Sequence, residues 1–174
     1  MITIKHATVS DIAVLRDIGI ETYTEHFSAI WSPAGMQGFL DKDFSPESLQ
    51  DTLERPAAHC WLLVLDDQAR AVGFAKVNWN RAVPGSDETG AELQKIYFLK
   101  SQAGKGHGQQ LLDHVHQLAR TQQQPLVWLE VLKTNDSAQR FYRRYGFQRV
   151  IEIPFNTDIT AIPMVVMSHC LAAS

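Results

Sequence analysis

Three features of the chain predict a mixed α/β fold. CWLLVLDD at 60–67 is a continuous apolar run suited to a buried strand. Apolar residues at helical spacing follow a cluster of glycines at 104–108, and a second apolar run, LVWLEVL at 126–132, reads as a fully buried strand of the kind found in parallel pairs. Strands interleaved with helices in this order make an α/β domain, and 174 residues suffice for one core, so a single domain over 1–174 is expected.

Taken in order, ITIKH (2–6) alternates like a short strand. Thr8 or Ser10 caps a helix from Asp11, with Ile12, Leu15, Ile18 and Gly19 on one side. Residues 28–56, punctuated by Pro33, Gly35, Gly38, Pro46 and Pro56, read as loops and short helices; Ser45 before Pro46 is a helix start. Trp31, Phe39, Leu40, Phe44 and Leu49 keep that segment apolar, which argues against a linker. The run at 60–67 turns at Asp66-Asp67 into a second strand, 69–79, and a polar loop over 81–90 leads to a third, AELQKIYFL at 91–99. Beyond the glycines, Leu111, Leu112, Val115, Leu118 and Ala119 mark a helix. Past the strand at 126–132, Asn135 or Asp136 caps a helix carrying Ala138, Phe141, Tyr142 and Tyr145, with Gly146 as its left-handed stop. Strands at 147–154 and 162–170 close the chain.

Composition removes several function classes. A formal net charge of −3 is unlike that of a dedicated nucleic-acid binder. MITIKHATVSD lacks the layout of a signal peptide, and no stretch approaches the ~20 apolar residues of a membrane span, so a soluble, cytoplasmic protein without a membrane partner is expected. Cys60 and Cys170 fit no metal-like spacing and suit a reducing compartment. His26, His59, His107, His114, His116 and His169 form no ligand pattern with Cys or Asp, so no metal is expected.

The glycines raise a sharper question. A helix mouth presents unpaired N–H groups and partial positive charge, which is an anion site. A nucleotide P-loop needs a Ser or Thr after its lysine, but Gly106 follows Lys105. A dinucleotide fingerprint beginning at Gly104 or Gly106 fails at its third glycine, where Gln109 or Leu111 stands.

IYFLKSQAGKGHGQQLL resembles motif A of the GNAT superfamily of acyl-CoA N-acyltransferases, whose loop follows [RQ]-x-x-G-x-[GA]. Ala103 departs from it, standing where Arg or Gln is usual. TNDSAQRFYRRYGF (134–147) is similar to the family's second motif, N-x-x-A-x-x-F-Y-x-x-x-G-F, at every stated position. The resemblance covers about 60–155 well and the N-terminal helical part more loosely, and is closest to small bacterial members that acetylate polyamines and related amines. It implies a mostly antiparallel twisted sheet with one central parallel pair, flanked by helices. It also implies acetyl-CoA as cosubstrate, an amine acceptor attacking directly in a ternary complex, and a homodimer as a frequent assembly.

Residue by residue, the resemblance places the backbone of Ile96, Tyr97 and Phe98 on the pantetheine chain. The pyrophosphate falls to Ala103, Gly104, Lys105, Gly106, His107 and Gly108. Lys95, Lys100, Lys105, Arg140, Arg143 and Arg144 make the loop's surroundings basic, with Arg144 a candidate for contact, and Asn135 contacts the coenzyme. Tyr142 is the expected proton donor to the departing thiolate. Glu130, the only charge in LVWLEVL, and Glu92 compete as the base, directly or through a water chain. The N-terminal segment is expected to cover the acceptor, with Glu21, Tyr23, Phe27 and Trp31 as contacts and Glu25, Asp41 and Asp43 adding the negative charge a cationic amine or polyamine favours. Ile153-Pro154-Phe155 replaces the His-x-Phe common in polyamine-acetylating members. A peptide N-terminus or a lysine is the alternative acceptor, and a non-catalytic acyl-CoA-binding module the alternative role.

Overall fold

The computed structural model describes residues 1–171. Its strands and helices run β1 (Thr3–His6), α1 (Ile12–Phe27), α2 (Pro33–Phe44), α3 (Pro46–Leu53), β2 (His59–Leu65), β3 (Ala71–Ala82), β4 (Thr89–Phe98), α4 (His107–Thr121), β5 (Leu126–Leu132), α5 (Asp136–Tyr145), β6 (Gln148–Ile153) and β7 (Met164–Cys170). One seven-stranded sheet has the order β1-β2-β3-β4-β5-β7-β6, antiparallel throughout except for the central β4–β5 pair. The expected mixed α/β sheet, mostly antiparallel with one parallel pair, is therefore present.

Strand alternation divides the core in two. On one face Leu62, Val77, Leu93, Val127, Leu129 and Val131 pack with Leu111, Leu112 and Val115 of α4 and Tyr142 of α5. On the other, Trp61, Leu63 and Phe74 meet Leu15 and Ile18 of α1, Leu40 and Phe44 of α2, and Leu49 of α3. Gly19 lets α1 approach closely, since a Cβ there would run into the buried Phe44 ring. The second face continues across β5–β7–β6 as Leu126, Trp128 and Val166, covered by Val83 from the β3–β4 connection. The Trp128 indole donates to the Arg81 carbonyl at 3.2 Å.

One segment sharpens the sequence expectation of loops and short helices, and another differs from it. Residues 28–56 hold two regular helices, of 12 and 8 residues, each opened by the same device: Ser32 and Ser45 cap, and Pro33 and Pro46 take the first helical position. The 81–90 loop is shorter than expected because β3 extends to Ala82 and β4 begins at Thr89, pairing Arg81 with Gly90 and Ala82 with Thr89.

Candidate active site

The parallel β4–β5 pairing is confined to Ala91↔Val127 and Glu92↔Trp128, after which the strands part. The opening is a cleft of about 880 Å³ whose walls include Ile96 and Phe98 from β4, Leu129 to Leu132 from β5, the glycine loop, and Asn135 and Tyr142 of α5. His26, Phe27 and Ile30 close it from the α1 side.

Backbone direction along β4 follows from one hydrogen bond. Leu99 N–H donates to Val72 C=O at 3.0 Å, so Leu99 and Val72 form a hydrogen-bonded antiparallel pair. By alternation Tyr97 opposite Phe74 is another, while Phe98 opposite Gly73 and Ile96 opposite Ala75 turn their polar groups away from β3. Ile96 and Phe98 therefore offer main-chain groups to the cleft. The Tyr97 main chain is committed to β3, which corrects the expectation that it faces a ligand. His26, which sequence reasoning dismissed, donates to the Phe98 carbonyl at 2.8 Å and occupies part of that edge.

At the other end of the cleft Gly104 and Gly106 adopt φ of +77° and +76°, a conformation open to glycine. A Cβ at either would meet nothing within 4 Å. Among the described residues, no acceptor is found for the amides of residues 104–109, the first intramolecular bond being Gln110 N–H to Gly106 C=O. The His107 Nδ1 atom also lacks a partner and, unlike the exposed loop residues, is shielded from solvent. Unsatisfied donors gathered at the mouth of α4 fit an anionic diphosphate. Asn135 caps α5 by accepting from Ala138 N–H at 3.1 Å and also borders the cleft, so both roles suggested for it are geometrically available.

The Tyr142 side chain is almost wholly buried in the cleft wall, and that burial pushes its phenol well above the usual tyrosine range. Glu130 also borders the cleft. It is exposed as a residue, but protein packed about its carboxyl partly desolvates it, and this, followed by the charge of Glu92, raises its pKa above that of an ordinary glutamate. Glu92 does not border the cleft; Asn78 donates to it at 2.9 Å and the Arg81 guanidinium lies 3.7 Å away. The two competing carboxylates thus occupy different settings, one facing the opening and one tied behind it.

Several expected contacts are not assembled. Lys95 is buried on the α1–α3 side, paired with Asp43 at 2.6 Å with its ammonium over Phe39 and Phe44, so it adds nothing to a basic patch at the loop. Lys105 and Arg144 are exposed and do not line the cleft, because the loop and α5 turn those side chains outward. Of the expected acceptor contacts only Phe27 reaches the opening. Tyr23 is stacked on Phe39 and accepts from the Trp31 indole at 3.3 Å, and burial pushes its phenol up to about 12. Glu21 lies on the exposed face of α1. The accompanying acids are dispersed too: Glu25 accepts from Lys100 N–H, Asp41 from Gln37, and Asp43 is held by Lys95.

Sequence reasoning also missed further residues in and near the cleft. Gln94, Thr134 and Met164 border the cleft, and Asp158 accepts from both the N–H and the hydroxyl of Ser32. Thr157 adds a bond to the Ile30 carbonyl at 2.5 Å, fastening the β6–β7 connection to the corner after α1. Nothing local in the sequence signals these contacts, which join positions 126 and 127 residues apart.

Residues 20–147 match the model of the acetyltransferase (GNAT) family. An uncharacterized N-acetyltransferase in the pepI 3′ region of Lactobacillus delbrueckii subsp. lactis is 27% identical over 155 residues, 88% of each chain. Two solved structures share the fold. The PaiA N-acetyltransferase of Thermoplasma acidophilum, in complex with coenzyme A, aligns with a TM-score of 0.76 at 19% identity over 98% of this chain and 99% of its own. YncA of Salmonella typhimurium, a putative acetyltransferase with its cofactor acetyl-CoA, gives 0.74 at 18% identity over 100% and 96%.

Proposed function

The chain belongs to the acetyltransferase (GNAT) family, and from that premise we propose that it transfers an acetyl group from acetyl-CoA to the primary amine of a small molecule, by direct attack with both substrates bound. The carrying observation is the split between β4 and β5: it gives one cleft with unsatisfied amides at one end and a lone carboxylate, Glu130, at the other. The amides of residues 104–109 hold the diphosphate, and the main-chain groups of Ile96 with the N–H of Phe98 accept the pantetheine chain as a sheet edge accepts a strand, the Phe98 carbonyl being taken by His26. Acetyl-CoA supplies the activated acetyl group as a thioester. Glu130 takes the proton that an ammonium must lose before it can attack, and its raised pKa brings it nearer to that task. Tyr142, kept protonated by burial, gives the proton that the departing sulfur needs.

A small acceptor is favoured by the β6–β7 connection, which Asp158 and Thr157 fasten across the acceptor end to Ser32 and Ile30. The dispersal of Glu21, Glu25, Asp41 and Asp43 removes the acidic cluster that a polyamine would use, leaving Glu130 as the carboxylate that borders the cleft. Calorimetric titration with acetyl-CoA, followed by free-thiol release with a panel of primary amines, tests this reading. Binding with amine-dependent thiol release is expected; a flat titration overturns it.

A further inference from the structure

Behind the acceptor end lies a hydrogen-bond network whose directions are fixed by one acceptor-only group. Asn78 on β3 is 3% exposed. Its Nδ2 lies 2.9 Å from Glu92 Oε1 and 3.0 Å from Gln94 Oε1, and its Oδ1 lies 2.6 Å from His59 Nδ1. An ionised carboxylate has no hydrogen to give, so the Asn78 atom that faces Glu92 is the NH₂ group. The same atom faces Gln94, whose carbonyl therefore turns inward to accept. The Asn78 oxygen must accept in turn, which puts the proton of His59 on Nδ1. Reversing the Asn78 amide would set its oxygen against the Glu92 carboxylate.

With its carbonyl held inward, Gln94 has its NH₂ group left to face outward. Gln94 is exposed and borders the cleft. It is also the extra residue of a bulge, since Lys76 pairs with Lys95 and Val77 with Leu93, and bulges re-aim a side chain. It stands just beyond the last parallel pair, Glu92↔Trp128, as Glu130 does on the facing strand. The start of the opening therefore presents a neutral donor on one strand and a carboxylate on the other.

Resting on the acetyl-transfer reading above, we propose that Gln94, held donor-outward by Asn78, selects primary amines that carry a hydrogen-bond-accepting oxygen close to the nitrogen over all-carbon amines of the same shape. Glu130 receives the ammonium and Gln94 donates to the oxygen. Gln94 is then a specificity-determining residue, and Asn78 a positioning residue that acts through it.

Matched pairs of amines test this: methoxyethylamine against butylamine, and glycinamide against isobutylamine, with free-thiol release measured for the wild type, Gln94→Leu and Asn78→Ala. The wild type is expected to favour the oxygen-bearing member in kcat/KM by roughly three- to tenfold more than a protein lacking the Gln94 donor, the net worth of one neutral hydrogen bond. Because the oxygen also lowers the ammonium pKa, the readout is the change in that ratio: it falls roughly three- to tenfold from wild type in both variants, while the calorimetric Kd for acetyl-CoA is unchanged. A merely structural role would depress both members of a pair alike. Gln94→Leu alters an exposed side chain and so keeps the test valid should Asn78→Ala fold poorly. The same ratio in the wild type and in Gln94→Leu overturns the proposal. Failure of the wild type to bind acetyl-CoA overturns the acetyl-transfer reading instead.

Discussion

The charge of Glu92 acts on Glu130: the two carboxylates lie on the same side of adjoining strands, and Glu92 adds to burial in raising the Glu130 pKa. If Glu130 is the base, kcat/KM rises with pH as it deprotonates, along a limb displaced upward from that of a free glutamate. Glu92→Gln removes the like charge and so moves the limb to lower pH, with much of the rate retained. Glu130→Gln abolishes the limb. A pH–rate profile of the three proteins decides the matter, and loss of the limb in Glu92→Gln alone would transfer the role to Glu92.

Tyr142 is buried within the cleft wall, and in its proposed role as proton donor that burial limits help from bulk water. Tyr142→Phe keeps the ring and its packing against Phe147. We expect turnover to fall by ~10²-fold with the acetyl-CoA Kd nearly constant. Steady-state kinetics beside calorimetry measures both, and unchanged turnover removes Tyr142 from the chemistry.

Gly106 is the N-cap of α4 at φ +76°. Alanine there costs ~1–2 kcal/mol of backbone strain, because an L side chain is disfavoured at that φ, and no neighbouring atom within 4 Å adds a clash with the methyl. The larger loss is expected in ligand binding, since relaxation of the loop turns amides away from their common focus. Gly106→Ala should melt a few degrees lower, a shift on the scale of ~2–4 °C per kcal/mol, and bind acetyl-CoA at least tenfold more weakly. Gly108→Ala is the control: its Cβ would stand 3.7 Å from the Phe141 ring, an ordinary contact.

What the sequence disclosed was local. The glycine loop, the Asn135 cap and the Gly146 stop, at φ +119°, are each specified by residues within a few positions of one another. The Ser32-Pro33 start of α2 was equally local, but Gly35 and Gly38 read as breakers. In the structure, Gly38 faces open space and Gly35 lies against Asp158. The cleft beside Gln94 and Glu130 was not legible, because its geometry depends on which helix face meets the sheet and on the β3–β4 register. Asn78 reaches both Glu92 and Gln94 only because of the bulge at Gln94, which no spacing in the chain reveals.

Lys95 and Asp43 show how far a charge can stand from its apparent purpose. The ammonium is 2.6 Å from the carboxylate, with the lysine side chain 7% exposed and the aspartate 21%. Phe39 and Phe44 flank the cation, leaving little room for water to take over from a missing partner. Removing one member strands the other: Lys95→Met or Asp43→Leu should cost ~3–5 kcal/mol, a fall in Tm of roughly 10 °C. Replacing both together removes the desolvation of two charges as well as their attraction, so the double variant should be far more stable than the sum of the single losses implies. Thermal and urea unfolding of the four proteins completes the cycle. Additive losses would mean that the pair contributes nothing beyond the packing of its two side chains, and that α2 is held on the sheet by apolar contact alone.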